Sequence, residues 1–223
     1  MNPNTNAPAF SAMNAGGENH SEKSPGICYH WNRKTGVFSH GEMKMEIKQL
    51  SKQEYQGREY SAEIHSDMYL SIDPNDEGFV LKWMESGKDL KMSVKDSLFQ
   101  DWLENPIAYG AFENGRMLGF VEGFHEKWNN RFRISNICIF EEADRRSGVG
   151  TMLLEKIMTD AVNSGARMAV LETQSFNFKA VSFYQKNGFE IIGFDRYAYS
   201  NNGPEEHNMR IEMGLKLEQK PGR

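Results

Sequence analysis

The stretch of this sequence best suited to chemistry is Arg145-Arg146-Ser147-Gly148-Val149-Gly150-Thr151. The apolar run Ile137-Cys138-Ile139-Phe140 precedes it and a helical pattern follows. The chain therefore leaves a strand, turns through basic residues and glycines, and starts a helix. Such a turn is an anion cradle. Backbone N–H groups point at the ligand and the helix dipole favours negative charge. Gly148 and Gly150 let a ligand approach the backbone closely, while Arg145 and Arg146 add formal positive charge. The sequence has no Gly-x-x-x-x-Gly-Lys-Ser/Thr, so this is not a P-loop. Two placed glycines after mostly strand-like sequence are not a dinucleotide fingerprint either.

Other reactive residue types carry less. Cys138 reads as a small buried residue of a strand rather than a nucleophile. The six histidines, His125 and His207 among them, lack metal-ligand spacing, so no metal site is expected. Two cysteines cannot make a disulfide framework. With 26 basic and 31 acidic residues the net charge is -5, which disfavours general nucleic-acid binding and suits a cationic or neutral small partner. No apolar run approaches the ~18 residues of a membrane helix. The start of the chain lacks the basic-then-apolar pattern of a secretory signal, so a cytoplasmic location is expected. Residues 1–22 are mostly Asn, Ala, Gly, Ser and Pro with little to bury. Residues 1–42 are accordingly expected to be a disordered or poorly structured extension, 43–218 the folded domain and 219–223 a tail.

The cradle needs elements to hold it. Met45 and Ile47, alternating with Glu46 and Lys48, predict a short strand ending near Leu50. Ser51, with Glu54 at the capping-box position, predicts a helix over 51–60. Residues 65–76 read as a loop. Phe79, Leu81 and Trp83 on one face predict a strand over 79–84. Val94, Leu98 and Trp102 at four-residue spacing predict a helix over 93–104, stopped near Pro106. Asn114-Gly115 between two apolar runs predicts a hairpin over 107–124, and Trp128-Asn129-Asn130 a second turn. In the strand 131–140, Phe132 and Ile134 share one parity and Ile137 and Ile139 the other. A one-residue bulge near Asn136 accounts for the change.

Val149, Leu153, Ile157 and Ala161 make the buried stripe of a helix over 148–163, ended by Ser164-Gly165. Met168-Ala169-Val170-Leu171 is apolar throughout, the pattern of a strand covered on both faces and paired parallel. A helix over 178–187, closed by Asn187-Gly188, and strands over 189–194 and 209–217 complete the chain. Residues 27–40 read either as a short hairpin around Lys34-Thr35-Gly36 or as a tail. The order specifies a single α/β domain with a mixed sheet.

Arg145-x-x-Gly148-x-Gly150 after a strand resembles the acetyl-CoA pyrophosphate loop of the GNAT N-acetyltransferases. Downstream, Leu171-Glu172-Thr173-Gln174, Asn177, Ala180, Phe183-Tyr184 and Gly188-Phe189 resemble that family's second signature, which joins a strand, a helix and the next strand. The resemblance covers roughly 45–217 and is specific over 136–195. Glu172-Thr173-Gln174, Asn177, Phe183-Tyr184 and Gly193-Phe194-Asp195, with Asp101-Trp102 before Pro106, are most similar to the streptothricin acetyltransferase subgroup. That subgroup usually has acidic residues on the fourth strand, where this chain has Ser135-Asn136.

The resemblance implies a mostly antiparallel twisted sheet whose central parallel strand pair splays at the acetyl-CoA site, with helices on its flanks. It implies direct transfer of acetyl from acetyl-CoA to an amine. Residues 145–151 would hold the diphosphate. Backbone N–H groups of Ile137, Cys138 and Ile139 would meet the thioester oxygen and the pantetheine arm, with Asn177 assisting. Tyr184 would protonate the departing thiolate. Glu122 and Glu172 are the candidates for taking the amine's proton or orienting the amine. The acceptor would be a small cationic amine such as streptothricin. Another amine (a polyamine, an amino acid or a protein N-terminus) and a non-catalytic acyl-CoA-binding module are the alternatives. No metal, nucleic acid or membrane is called for, and a homodimer is compatible with the family.

Overall fold

A computed structural model describes residues 30–32, 37–40, 43–141, 144–145 and 147–218, with side chains from residue 45 onward. Most of the expected extension 1–42, all of the tail 219–223, and Arg146 lie outside the described residues. Within 27–40 the hairpin alternative is the observed one. β1 (His30–Asn32) pairs antiparallel with β2 (Val37–His40), and β2 with β3 (Met43–Gln49).

The remaining strands of the main sheet are β6 (Ile107–Glu113), β7 (Arg116–Glu126), β8 (Arg131–Ile139), β9 (Met168–Gln174), β10 (Glu190–Asp195) and β11 (Arg210–Lys216). Their order is β1-β2-β3-β6-β7-β8-β9-β11-β10. All neighbours run antiparallel except β8 and β9. The β6–β7 hairpin turns at Asn114 and Gly115, both at positive φ (50° and 81°), the conformation an Asn-Gly hairpin turn requires.

α2 (Val149–Asn163) connects β8 to β9, and α3 (Phe178–Lys186) connects β9 to β10. Val149, Leu153, Ile157 and Ala161 of α2 are fully buried, as their helical spacing requires. Burying one such large aliphatic side chain stabilises by roughly 1.5–3 kcal/mol.

Two features of β8 shape the site. Across the β7–β8 ladder Glu122 faces Asn136 while Gly123 faces Ile134, so Ser135 is left over as the expected bulge. The bulge lets Phe132 and Ile134 before it, and Ile137 and Ile139 after it, all pack on the larger hydrophobic core. Cys138 is thereby turned to a second cluster with Leu50, Phe99, Ala108 and Phe120. On its other edge β8 pairs with β9 only through Arg131, Phe132 and Arg133 against Met168, Ala169 and Val170. Beyond these three pairs the strands part, leaving an open seam beside the bulge.

The structure departs from expectation between residues 51 and 104. The first helix, α1, is confined to Lys52–Tyr55, and Ser51 makes no side-chain capping bond. Gly57 at φ 73° then turns the chain into β4 (Glu59–Asn75). The expected loop over 65–76 and helix over 93–104 are instead parts of a long hairpin of β4 and β5 (Gly78–Ser97), followed by turns. The strand expected over 79–84 lies within β5.

This hairpin closes over the site. Leu70 and Ile72 enter the larger core. Trp83 packs edge-on to Phe178 of α3, with ring centroids 4.9 Å apart, and Phe79 does the same to Phe194 of β10 at 5.0 Å. The Leu70 N–H donates to the Ser175 carbonyl at 2.8 Å.

Candidate active site

The mouth of α2 is built as a donor cluster. Gly148 is the N-cap in the left-handed region, φ 89°, a conformation that only glycine adopts freely. The first helical bond runs from Met152 N to Gly148 O at 3.0 Å. The N–H groups of Val149, Gly150 and Thr151 therefore precede any helical acceptor and face outward. A Cβ on Gly148 would meet nothing within 4 Å among the described residues. A Cβ on Gly150 would rest 3.5 Å from the Phe183 ring, where α2 approaches α3.

The loop leading into the helix is framed by side chains. Arg145 donates from Nε and Nη2 to the Ile139 carbonyl at the end of β8, both at 3.4 Å. The Ser147 hydroxyl donates to the Asp144 carbonyl. Arg116, beside the β6–β7 turn, bridges Glu141 at 2.9 Å and Asp144 at 3.2 Å. The sequence reading did not single out Arg116, because its partners lie 25 residues or more away along the chain. A cavity of about 600 Å³ borders this loop. It is lined by Phe140, Arg145, Lys179 and the β4 residues Ser61, Ala62, Glu63 and His65. Arg145 and Lys179 bring two cationic side chains to this cavity, with the Glu63 carboxylate on its β4 side.

Tyr184 reaches the seam from α3. It is 6% exposed and packs edge-on to Phe183 at 5.3 Å and obliquely to Phe189 at 5.9 Å. Burial pushes its phenol well above the ordinary range, with the Cys138 thiol on β8 a smaller contributor, so the hydroxyl keeps its proton. The Cys138 thiol is itself pushed up to about 11 by burial, against a lowering influence from Arg145. A thiol held protonated is a poor nucleophile, which fits the reading of Cys138 as a packing residue.

The bulge carries a polar network. Glu122 is fully buried, with 0% exposure, and both carboxylate oxygens are engaged. Oε1 accepts the Phe99 N–H at 2.7 Å; Oε2 accepts the Ser135 hydroxyl at 3.1 Å and Asn136 Nδ2 at 3.3 Å. Burial raises its pKa and outweighs the lowering effect of these donors, and Asp96 raises it further. Asn136 Oδ1 accepts the Tyr60 hydroxyl at 2.7 Å, and Asp96 Oδ2 lies 3.3 Å from the same hydroxyl. Tyr60 and Asp96 face each other across the foot of the β4–β5 hairpin. Neither was singled out from the sequence, where the flanking segments read as helix.

Glu172 takes a different position. It is exposed on β9 directly opposite Glu212 of β11, and its Oε1 accepts the Tyr199 hydroxyl at 3.4 Å. Arg131 and Arg133 reach Glu212 at 3.5 and 3.3 Å, which offsets the like charges on that face. Asn177 is the N-cap of α3, its Oδ1 accepting Ala180 N–H at 3.3 Å. The structure thus gathers Ile137, Cys138, Ile139, Glu122 and Tyr184 around the bulge and seam. It sets Ser147, Gly148, Val149, Gly150 and Thr151 at the helix mouth, and Glu172 across the seam on β9, on the sheet face that Glu122, Asn136 and Cys138 share.

Comparison with known proteins bears on the family and the fold. The sequence model of the acetyltransferase (GNAT) family matches residues 52–189. The streptothricin acetyltransferase of Escherichia coli is 30% identical over 133 residues, covering 60% of this chain and 71% of its own. Among solved structures, a nourseothricin acetyltransferase superposes with a TM-score of 0.61 at 19% identity, covering 77% of this chain and 98% of that one. A Bacillus anthracis protein assigned as a streptothricin acetyltransferase, solved in complex with acetyl coenzyme A, superposes at 0.60 with 22% identity, covering 78% and 98%. The two superpositions establish a shared fold, and the match over residues 52–189 establishes descent: the chain belongs to the GNAT family of acetyltransferases.

Proposed function

We propose that this protein transfers acetyl from acetyl-CoA to a primary amine of a small cationic substrate by direct attack, with streptothricin as the acceptor. The observation that carries the reading is the alignment of three features: the donor cluster at the mouth of α2, the open seam between β8 and β9, and the protonated Tyr184 phenol beside that seam. Support for the donor comes from the Bacillus anthracis neighbour, which was solved with acetyl coenzyme A. Support for the acceptor comes from the name of the Escherichia coli relative and from the net charge of -5.

In this reading the diphosphate rests on the N–H groups of Val149, Gly150 and Thr151, with Arg145 and Ser147 beside it and Gly148 keeping the approach clear. The arm runs along β8 in the seam, with Asn177 Nδ2 as a donor from the α3 side. Beside the bulge, the N–H groups of Ile137 and Ile139 meet the thioester oxygen as it gains charge; the Cys138 N–H is directed to β7, like the Phe140 N–H that donates to the Leu118 carbonyl. Donors fixed in place before the reaction stabilise such an oxyanion without reorganising. Tyr184 gives its proton to the departing thiolate. Glu122 acts by holding Asn136 and Ser135, and Glu172 orients the charged acceptor from β9.

The test is thiol release on mixing acetyl-CoA with streptothricin, polyamines, amino acids and an N-terminal peptide, together with streptothricin resistance in a sensitive host. Acetylation of streptothricin with resistance supports the reading in full. Turnover of another amine alone removes the acceptor assignment. Acetyl-CoA binding without turnover of any amine leaves a non-catalytic binding module.

A further inference from the structure

Transfer from acetyl-CoA leaves one task without a residue suited to it. A cationic amine arrives with a proton that must leave before nitrogen can attack. Glu122 is shut in the core with three donors on its two oxygens. Glu172 lies across the seam on β9, opposite Glu212 and accepting the Tyr199 hydroxyl, where it suits orienting the charged amine. The bulge itself, however, is flanked by two phenols. Tyr184 stands on the α3 side and Tyr60 on the hairpin side, and the Cys138 thiol is an electrostatic neighbour of both.

We propose that Tyr60 and Asp96 form the proton path that neutralises the acceptor ammonium. This rests on the acetyl-transfer reading above. Tyr60 is half-buried, with its ring held edge-on against Phe120 at 4.7 Å. Its one hydroxyl hydrogen has two acceptors in reach: Asn136 Oδ1 at 2.7 Å and Asp96 Oδ2 at 3.3 Å. At rest it points to the nearer, Asn136, whose amide is fixed by Glu122. For transfer it turns to Asp96, exposing an oxygen lone pair to the substrate. The ammonium N–H bond breaks as its proton passes to the Tyr60 oxygen, while the Tyr60 hydroxyl proton passes to Asp96. The products are a neutral amine, an unchanged phenol and a protonated Asp96. Asp96 is half-buried, its Oδ1 taking the Ser97 N–H at 2.7 Å and the Gln100 amide, and it returns the proton to water.

The surroundings fit a conduit rather than a standing base. The groups facing the Tyr60 hydroxyl are Asp96 of β5, Glu122 of β7, and Asn136 and Cys138 of β8. Burial first, then the negative neighbours, hold the phenol protonated well above its ordinary range. A phenol that keeps its proton passes one on only when it receives one. Glu122 is then a positioning residue, acting on Tyr60 through Asn136.

The test uses the full-length protein and an amine that the wild type acetylates. Tyr60→Phe keeps the ring and removes the hydroxyl; Asp96→Asn keeps the shape and removes the charge. kcat/KM for the amine is measured from about pH 6 to about pH 10, spanning the approach to the ordinary pKa of an alkylammonium at ~10. Acetyl-CoA affinity comes from calorimetry and folding from thermal melts. Both variants are expected to bind acetyl-CoA as the wild type does and to lose about 100-fold in kcat/KM near neutrality. The loss should shrink as pH rises, because the amine then arrives already neutral. A loss of constant size at every pH, or none, overturns the proton path while leaving acetyl transfer intact. If Tyr60→Phe fails to fold, Asp96→Asn alone decides, since asparagine keeps an oxygen for the Ser97 N–H and the Gln100 amide. A wild type that turns over no amine overturns the transfer reading and the proton path with it.

Discussion

Glu122 of β7 and Asn136 of β8 stand opposite each other at the bulge, and the buried carboxylate accepts the amide N–H at 3.3 Å. The contact joins three segments, because the same carboxylate takes the Phe99 N–H just beyond β5 and the hydroxyl of the bulged Ser135. A strand register, a hairpin foot and a loop are thus fixed by one side chain. A carboxylate is expensive to bury, so its cost must be offset by donors placed around it.

Glu122→Leu should be strongly destabilising. It strands the Phe99 N–H and the Asn136 amide in the core, at about 1–3 kcal/mol for each unpaired group. Glu122→Gln should cost less, because the Ser135 hydroxyl can reverse and Asn136 can turn over, with Tyr60 accepting instead of donating. The pH dependence has a definite sign. The folded pKa of Glu122 is raised above 4.5, so the folded state binds its proton more tightly than the unfolded chain does. That contribution is whole below about 4.5 and is lost as pH rises through the folded value. Melting curves of wild type and Glu122→Gln should show the wild type's relative stability falling across that window; a difference that stays constant, or grows, counts against a raised pKa.

Gly123→Ala should damage the same corner from the backbone side. A Cβ there would lie 2.6 Å from Cε1 of Phe132 and 2.8 Å from the Arg133 carbonyl oxygen. Phe132 is buried and the carbonyl belongs to the ladder, so neither gives way cheaply. Overpacking of this kind costs about 1–3 kcal/mol. Hydrogen exchange should show weakened protection in β7 and β8 around the bulge, with α2 amides less affected.

The legible part of the chain was the part whose signals admit one reading. Asn114-Gly115 fixes a hairpin by backbone conformation, and the parity change between Ile134 and Ile137 fixed the bulge. The 51–104 region misled for a physical reason. Val94 and Leu98 are four apart, and residues four apart share a face in a helix and in a strand alike. The spacing of two in Met92, Val94 and Asp96, all partly buried, distinguishes the strand. Leu70 and Ile72 carried the same alternation inside 65–76, hidden among polar neighbours. Losing the hairpin meant losing Tyr60 and Asp96, whose meeting depends on a pairing 36 residues apart. The helix mouth, by contrast, is local, with Gly148 as N-cap and the first residues of α2 consecutive in the chain.

The two cradle glycines should respond differently to alanine. Gly148→Ala places a side chain at φ 89°, at a cost of about 1–2 kcal/mol for the left-handed conformation, and puts a methyl group at the helix mouth. It should lower both the melting temperature and the affinity for CoA. Gly150→Ala replaces a helical glycine where the new methyl meets Phe183 at an ordinary 3.5 Å, so the melting temperature should hold or rise. Calorimetry with CoA then isolates the role of close backbone approach. Undiminished affinity in both variants would remove the helix mouth from the binding site.

Tyr184→Phe separates chemistry from packing at the seam. The ring is wedged between Phe183 and Phe189, and phenylalanine preserves those contacts, so folding should change little. Removing the hydroxyl removes the proton offered to the thiolate, and turnover should fall about 100-fold or more while acetyl-CoA binding persists. The pH profile adds a second reading. Because burial raises the phenol, Tyr184 remains protonated throughout the usual assay range, and no loss of activity from its ionisation should appear below about pH 10. An alkaline limb below that pH, present in wild type and absent in Tyr184→Phe, would show that the phenol ionises readily, and the assignment of Tyr184 as the acid would fall with it.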